Sequence, residues 1–325
     1  MSFFSYIILT ILGIILCVFG ADLLVKGASG IAAKLRIPPL IIGLTIVAFG
    51  TSLPELVVGV SASLKSNSEV ILGNVLGSNA FNTLLILGIA ALIHPLSVRR
   101  LIIRREVPFS ILIIVIFFIL ANDALFGWSV ENKLNRIDAA VFLLLFSLFL
   151  GLIFLSLKKD TQINDKAKTL KKGAFRLSIL TVAGLGLLVL GGELAVRYAI
   201  ISAHFLNISE SLIAATLIAG GTSLPELVTS TYAALKKEPD IAVGNVIGSN
   251  IFNLLLIPGV SGIIGSISYD SKYNFDLGFF LLGTIILVIA MFTGTRRKLD
   301  RWEAFILILL YGGYSFHIFN RTGLT

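Results

Sequence analysis

The chain of 325 residues is 56% hydrophobic and only 14% charged, with a mean hydropathy of +0.97. Soluble domains carry about a quarter charged residues, so too little polar surface remains here to keep a large buried core in solution. The net charge of +8 does not point to nucleic acid, because the basic residues sit in loops between apolar runs.

Ten apolar segments follow one another, most of them near the ~20 residues that cross a bilayer as a helix. In chain order they span roughly 6–24, 38–63, 70–93, 109–121, 137–157, 177–197, 212–234, 241–264, 277–294 and 303–319. The fourth is short, and the second and seventh are interrupted by Pro54 and Pro225. The first resembles a secretory leader in length. It lacks a basic start and runs into GADLLVKG without a clear small-residue cleavage site. The expected fold class is an all-α polytopic membrane protein of ten transmembrane helices.

Internal repetition organises these segments. Adding 171 to a residue number lays the first half on the second, so that Gly50 falls on Gly221, Glu55 on Glu226, Asn74 on Asn245 and Asn82 on Asn253. Of the 33 positions from Gly50 to Asn82, 19 are identical without a gap. Upstream, Gly20, Asp22 and Lys26 face Gly191, Glu193 and Arg197, so the first segment belongs to the repeat. Five segments per half send the second half into the membrane the opposite way, which is the inverted-repeat plan of alternating-access transporters. The expected organisation is a first five-helix repeat over 1–158, a linker over 159–172 and a second, inverted repeat over 173–325.

Charge orients the chain. Of the 26 Lys and Arg, 20 lie on the side reached after odd-numbered segments. The positive-inside rule makes that side cytoplasmic and both termini external. Seven of the 20 lie between Lys158 and Arg176, a connector too short to be a folded domain. The expected location is the plasma membrane of a prokaryote, its inner or cell membrane, crossed many times.

The eight letters GTSLPELV occur at 50–57 and again at 221–228. Pro54 has no N–H, so the carbonyl four residues back loses its usual partner. In lipid such a carbonyl needs another one, and a cation serves. Thr51 and Ser52 precede Glu55 by four and three residues, so all three share a helical face. The motif gathers a carboxylate, two hydroxyls and loosened carbonyls, hard oxygen donors suited to calcium or sodium. A second pair, GNVLGSNAFN at 73–82 and GNVIGSNIFN at 244–253, sets Asn74, Ser78 and Asn82 four residues apart, and likewise Asn245, Ser249 and Asn253. Its glycines permit close helix approach. A lone Ser or Asn in such a helix is usually a packing device. A glutamate at the helix centre costs about 2.5–3.5 kcal/mol, and two in matching polar settings point to cation binding.

Other polar residues carry less. Cys17 is the only cysteine, which excludes an intrachain disulfide and a cysteine metal site, and His94, His204 and His317 are too far apart to suggest zinc. Asp22 with Lys26, and Glu193 with Arg197, have the spacing of intrahelical ion pairs. RRLIIRRE at 99–106 reads as an interfacial segment. NIS at 207 and NRT at 320 match a glycosylation sequon too short to be specific.

On GTSLPE at 50–55 and 221–226, with GNVLGSNAFN and GNVIGSNIFN, the sequence resembles the sodium/calcium exchangers and, more broadly, the cation/calcium antiporter superfamily. It looks like a prokaryotic member without cytosolic calcium-sensing domains. The resemblance implies a diamond of ion sites at mid-membrane. In it Glu55 and Glu226 match central calcium ligands, and Thr51 and Thr222 match further oxygen ligands. Ala48, Ser52, Ser78, Ala219, Ser223 and Ser249 match the linings of flanking sodium sites, and Asn82 matches a central polar position. Asn253 departs from the pattern, since several exchangers have aspartate there. The central site would then carry a formal charge of −2, which argues against potassium co-transport and keeps proton coupling open. The resemblance also implies alternating access, with the first and sixth helices sliding across the rest.

The leading expectation is a secondary antiporter exchanging calcium for sodium, with a calcium/proton antiporter on the same glutamates as the alternative. A passive cation channel is the reading from a different class, though channels usually place their pore on an oligomer axis. An intramembrane enzyme lacks a supporting His or metal motif. No cofactor is expected. The expected partners are calcium and sodium ions and the bilayer, with no nucleic acid, and the oligomeric state does not follow from the sequence.

Overall fold

The computed structural model describes residues 3–98, 102–159, 173–206, 219–290, 292–293 and 298–321. The sequon at Asn207, the linker 160–172 and residues 99–101 lie outside them.

Helix α1 (Phe3–Leu35) has 33 residues, about 50 Å at 1.5 Å per residue. It runs past the apolar stretch because its last third turns small residues, among them Gly27, Ala28, Gly30 and Ala32, into the protein. There follow α2 (Pro39–Thr51) and α3 (Leu53–Leu64), joined at Ser52 with a bend of 45°. Next come α4 (Ser68–Ile93), α5 (Val107–Ala121) and α6 (Arg136–Lys159). The second half holds α7 (Ala174–Phe205), α8 (Ala219–Gly221), α9 (Leu224–Leu235), α10 (Pro239–Ile264), α11 (Tyr273–Ala290) and α12 (Arg301–Arg321).

Among the described residues, seven helices are each long and apolar enough to cross a bilayer, and the bent α2–α3 pair makes an eighth. The other two expected segments fall short of that measure for different reasons. Helix α5 has only 15 residues, although the wide turns of Ile102–Glu106 lead directly into it. Helix α9 has 12, and residues 207–218 before it lie outside the description. Large apolar side chains such as Phe19, Val57, Leu144, Phe154, Val182 and Leu190 point outward, while Glu55, Glu226, Asn82 and Asn253 are wholly enclosed. This apolar-out, polar-in arrangement suits a lipid solvent.

Helices α4 and α10 are the most enclosed of the spanning helices. Helix α12 packs on α4 and α6 on α10. To one side, α1 and α7 lie against each other over much of their length. A Cβ added at Gly13 would come within 2.7 Å of the Gly191 carbonyl, and one at Gly184 within 2.7 Å of the Gly20 carbonyl. Glycine therefore sets how closely the two backbones approach. Four two-residue strands tie helix ends together. β1 (Leu96–Ser97) pairs antiparallel with β4 (Lys298–Leu299), and β2 (Lys133–Leu134) with β3 (Ile267–Ser268), so each ladder joins the first half to the second.

The 171-residue offset reappears in the backbone. Ser52 (φ −85°, ψ 7°) and Ser223 (φ −86°, ψ 9°) interrupt their helices with the same dihedrals. Each break is followed by a helix with proline in its first turn, where a missing N–H costs nothing. Ser66 and Lys237 end the following helices in the left-handed region, at φ 53° and 58°. Wide π-type turns occupy Phe81–Ile86 in α4 and Phe252–Leu256 in α10, a distortion common at functional sites. The expected Asp22–Lys26 pair forms, and Asp22 also accepts from the Tyr232 hydroxyl at 2.6 Å. Ser61, the counterpart of Tyr232, is too short to reach in the same way, and no ion pair joins Glu193 to Arg197 among the described residues.

Candidate cation site

Breaking α2–α3 at Ser52 and α8–α9 at Ser223 brings two carboxylates into the centre of the bundle. Glu55 lies in the first turn of α3 and Glu226 in the first turn of α9, where the helix macrodipole favours negative charge. Both are fully buried.

Each carboxylate is held from the opposite half. The Ser52 hydroxyl donates to Glu226 Oε1 at 3.0 Å, and the Ser223 hydroxyl donates to Glu55 Oε1 at 3.0 Å. Ser249 of α10 adds a longer contact to Glu226 Oε1, at 3.4 Å. Oε2 of both glutamates is buried and finds no protein hydrogen-bond partner. A buried carboxylate oxygen left this way is costly unless a cation meets it.

The threonines are tied in the same crossed manner. Thr51 Oγ1 lies 3.0 Å from Asn245 Oδ1, and Thr222 Oγ1 lies 3.1 Å from Asn74 Oδ1. Thr51 is buried and Thr222 half-buried. Ala48 is buried, and its carbonyl accepts from Ser52 N at 3.0 Å and from the Thr51 hydroxyl at 3.3 Å. Ala219 opens α8, and its side chain lies outside the described residues.

Ser78, Asn82 and Asn253 are buried on α4 and α10. Ser78 Oγ and both amide atoms of Asn82 and Asn253 have no protein hydrogen-bond partner. The wide turn carrying Asn82 packs on α9, which bears Glu226, and the wide turn carrying Asn253 packs on α3, which bears Glu55. Buried polar groups in native proteins are nearly always paired. Unsatisfied oxygens of this kind beside two carboxylates have the chemistry to meet a desolvated cation. Among the described residues no three His, Cys, Asp or Glu cluster, so no third such side chain joins Glu55 and Glu226.

Asn74 and Asn245, the partners of the threonines, and Ser230, whose hydroxyl lies 3.0 Å from Asn245 Nδ2, are not among the ligands expected from the sequence. Their four-residue spacing from Ser78 and Ser249 was the available signal. It places them on the right face and does not say which side chain they meet.

The family model described as sodium/calcium exchanger protein matches residues 5–155 and 177–320. The chain is 36% identical over 321 residues to a protein named putative antiporter CaxA from Alkalimonas amylolytica, covering 96% of this chain and 98% of that one. It is 32% identical over 347 residues to the sodium/calcium exchanger MaX1 of Methanosarcina acetivorans, again covering 96% and 98%. Its fold matches a solved structure of the sodium-calcium exchanger NCX_Mj with a TM-score of 0.81 at 28% identity, over 95% of this chain and 97% of that chain. The chain therefore belongs to the sodium/calcium exchanger family, a family of integral membrane transporters and not of enzymes.

Proposed function

We propose that this protein exchanges calcium for sodium by alternating access, the two ions competing for one mid-membrane site centred on Glu55 and Glu226. The observation that carries this reading is the pair of fully buried carboxylates, each fastened through Oε1 by a serine of the other half and each with Oε2 unpartnered. A charge of −2 in a low-dielectric site is neutralised by one calcium or by two sodium ions, so each ion state excludes the other. Thr51 and Thr222 add hydroxyl oxygens and Asn82 and Asn253 amide oxygens to the calcium position. Ser52, Ser78, Ser223 and Ser249, with the carbonyls of Ala48 and Ala219, line the flanking sodium positions.

Two inverted halves around one site offer an exchanger two related conformations, one open to each side. The basic side is cytoplasmic and both termini are external, by the charge distribution, and the protein resides in the cell membrane. The test is calcium uptake into proteoliposomes under an imposed sodium gradient. Saturable uptake that requires sodium on the opposite side is expected. Uptake driven by a pH gradient where a sodium gradient fails would replace sodium by protons as the coupling ion. Calcium currents at channel rates without a counter-ion would overturn exchange.

A further inference from the structure

The two asparagines behind the threonines are the same residue in each half, but their surroundings differ. Asn74 Nδ2 donates to the backbone carbonyl of Glu55 at 3.2 Å. A backbone carbonyl only accepts, so this contact fixes which end of the amide is which. Oδ1 then faces Thr222 Oγ1 at 3.1 Å. An amide oxygen also only accepts, so the Thr222 hydroxyl must be the donor. A hydroxyl has one proton and two lone pairs. With the proton committed to Asn74, the lone pairs remain for other contacts.

Asn245 is not constrained in this way. It lies between Thr51 Oγ1 and Ser230 Oγ, each at 3.0 Å. Both partners are hydroxyls, and the single Thr51 proton also has the Ala48 carbonyl at 3.3 Å and the Ser249 hydroxyl at 3.4 Å within reach, so they do not dictate the amide's orientation. The difference originates in one residue pair. The counterpart of Ser230 is Gly59, and a Cβ there would stand 2.6 Å from Ile257 Cγ2. No hydroxyl-bearing side chain fits at position 59, and Asn74 bonds instead to the Glu55 main chain, beside the carboxylate itself.

We propose that Asn74 is a positioning residue for ion binding: by taking the Thr222 proton while anchored on the Glu55 carbonyl, it turns the Thr222 oxygen lone pairs toward the cation. This rests on the reading of Thr222 and Glu55 as parts of the cation site. Partners that orient metal ligands typically contribute about 10–100-fold to metal affinity.

A double-substitution cycle on the purified full-length protein tests it. Calcium affinity is measured by calorimetric titration at low sodium, with sodium competition as a second readout, for wild type, Asn74→Leu, Thr222→Val and the double variant. Asn74→Leu is expected to weaken calcium binding by roughly 10–100-fold in the wild-type background. In the Thr222→Val background it is expected to change affinity by less than about twofold, since residues that act through one another are not additive. Asn74→Ala runs through the same cycle should Asn74→Leu not give monodisperse protein. Equal losses in both backgrounds would mean that Asn74 acts by packing or through the Glu55 main chain, and would overturn the proposal, as would unchanged affinity in the wild-type background. Glu55→Gln separates the levels of failure. If it abolishes calcium binding while Thr222→Val is silent, the positioning role falls and the site stands. If Glu55→Gln binds calcium normally, the site reading itself falls.

Discussion

Ser52 and Glu226 are 174 residues apart in the chain, and their side chains meet at 3.0 Å, the serine hydroxyl donating to Oε1. Ser223 and Glu55 repeat the contact at the same distance. The carboxylate of each half is thereby held by the helix break of the other, and neither half alone contains both partners of either contact.

The first prediction concerns the two glutamates. Glu55→Gln or Glu226→Gln leaves one formal negative charge beneath a divalent ion. Removing one member of a buried charge pair costs roughly 3–5 kcal/mol, which is more than about a hundredfold in affinity. Either variant is expected to abolish gradient-driven calcium uptake, and to a similar extent. Ser52→Ala and Ser223→Ala remove only a hydrogen bond to each carboxylate, about 1.5–3 kcal/mol, and should weaken binding less than the amide variants, Ser223→Ala more than Ser52→Ala because Ser249 still contacts Glu226 Oε1. Calcium titration and proteoliposome uptake on monodisperse protein check all four. Near-normal uptake by a folded Glu→Gln variant would rule out the shared site.

The second prediction concerns the α1–α7 contact. Gly13→Ala and Gly184→Ala each place a methyl carbon within 2.7 Å of an opposing backbone carbonyl. Backbone cannot yield as a flexible side chain does, so each should cost about 1–3 kcal/mol and lower the melting temperature in detergent. Gly186→Ala on the same α7 meets nothing within 4 Å and serves as the control, with no loss expected. Equal melting temperatures for all three would show that the glycines do not set the approach of the two helices.

A third prediction follows from one broken symmetry. Asn250 Nδ2 donates to Thr83 Oγ1 at 2.7 Å. The mirrored contact would join Asn79 to Leu254, which has no acceptor, and both amide atoms of Asn79 are buried without a protein partner. Thr83→Val should strand the Asn250 amide and destabilise by about 1–3 kcal/mol. Asn79→Leu strands nothing and should be neutral or stabilising. Thermal unfolding of the two variants is the measurement, and the reverse ranking would refute the argument.

The fourth prediction concerns topology. Lys65 and Lys236 are equivalent under the 171-residue offset, and both are exposed at the ends of α3 and α9. If the halves are inverted, these matching positions face opposite sides of the membrane. In a Cys17→Ala background, Lys65→Cys should react with an impermeant thiol reagent added outside intact cells, and Lys236→Cys only after lysis. Labelling of both from one side would disprove the inversion.

Much of the candidate site was legible because the membrane makes polar residues expensive. Glu55 and Glu226 stand out in an apolar sequence, and the duplication marks their neighbours twice. An interruption of the second segment at Pro54 was legible too, since proline cannot continue the hydrogen-bond ladder, and the structure puts the break two residues earlier, at Ser52. Other features were not. The apolar run ends at Leu24, whereas α1 ends at Leu35, because hydropathy reports contact with lipid, and beyond Leu24 the helix turns Val25, Gly27, Ala28, Gly30 and Ala32 into protein instead. The strand ladders at Leu96 and Lys133 are two residues long and leave no alternating pattern to detect.

By itself the sequence determined that the chain lies in a bilayer, that it is built twice over, and which oxygen-bearing side chains share a helical face. These follow from solvent cost and backbone periodicity, which act over a few neighbouring residues. Only the tertiary structure decided which side chains meet: Ser52 with Glu226, Thr222 with Asn74, Thr51 with Asn245. Those contacts span 148 to 194 residues and depend on how the helices pack. Packing also decided where the two halves differ, since Ile257 beside Gly59 leaves no room for the hydroxyl that Ser230 supplies to Asn245.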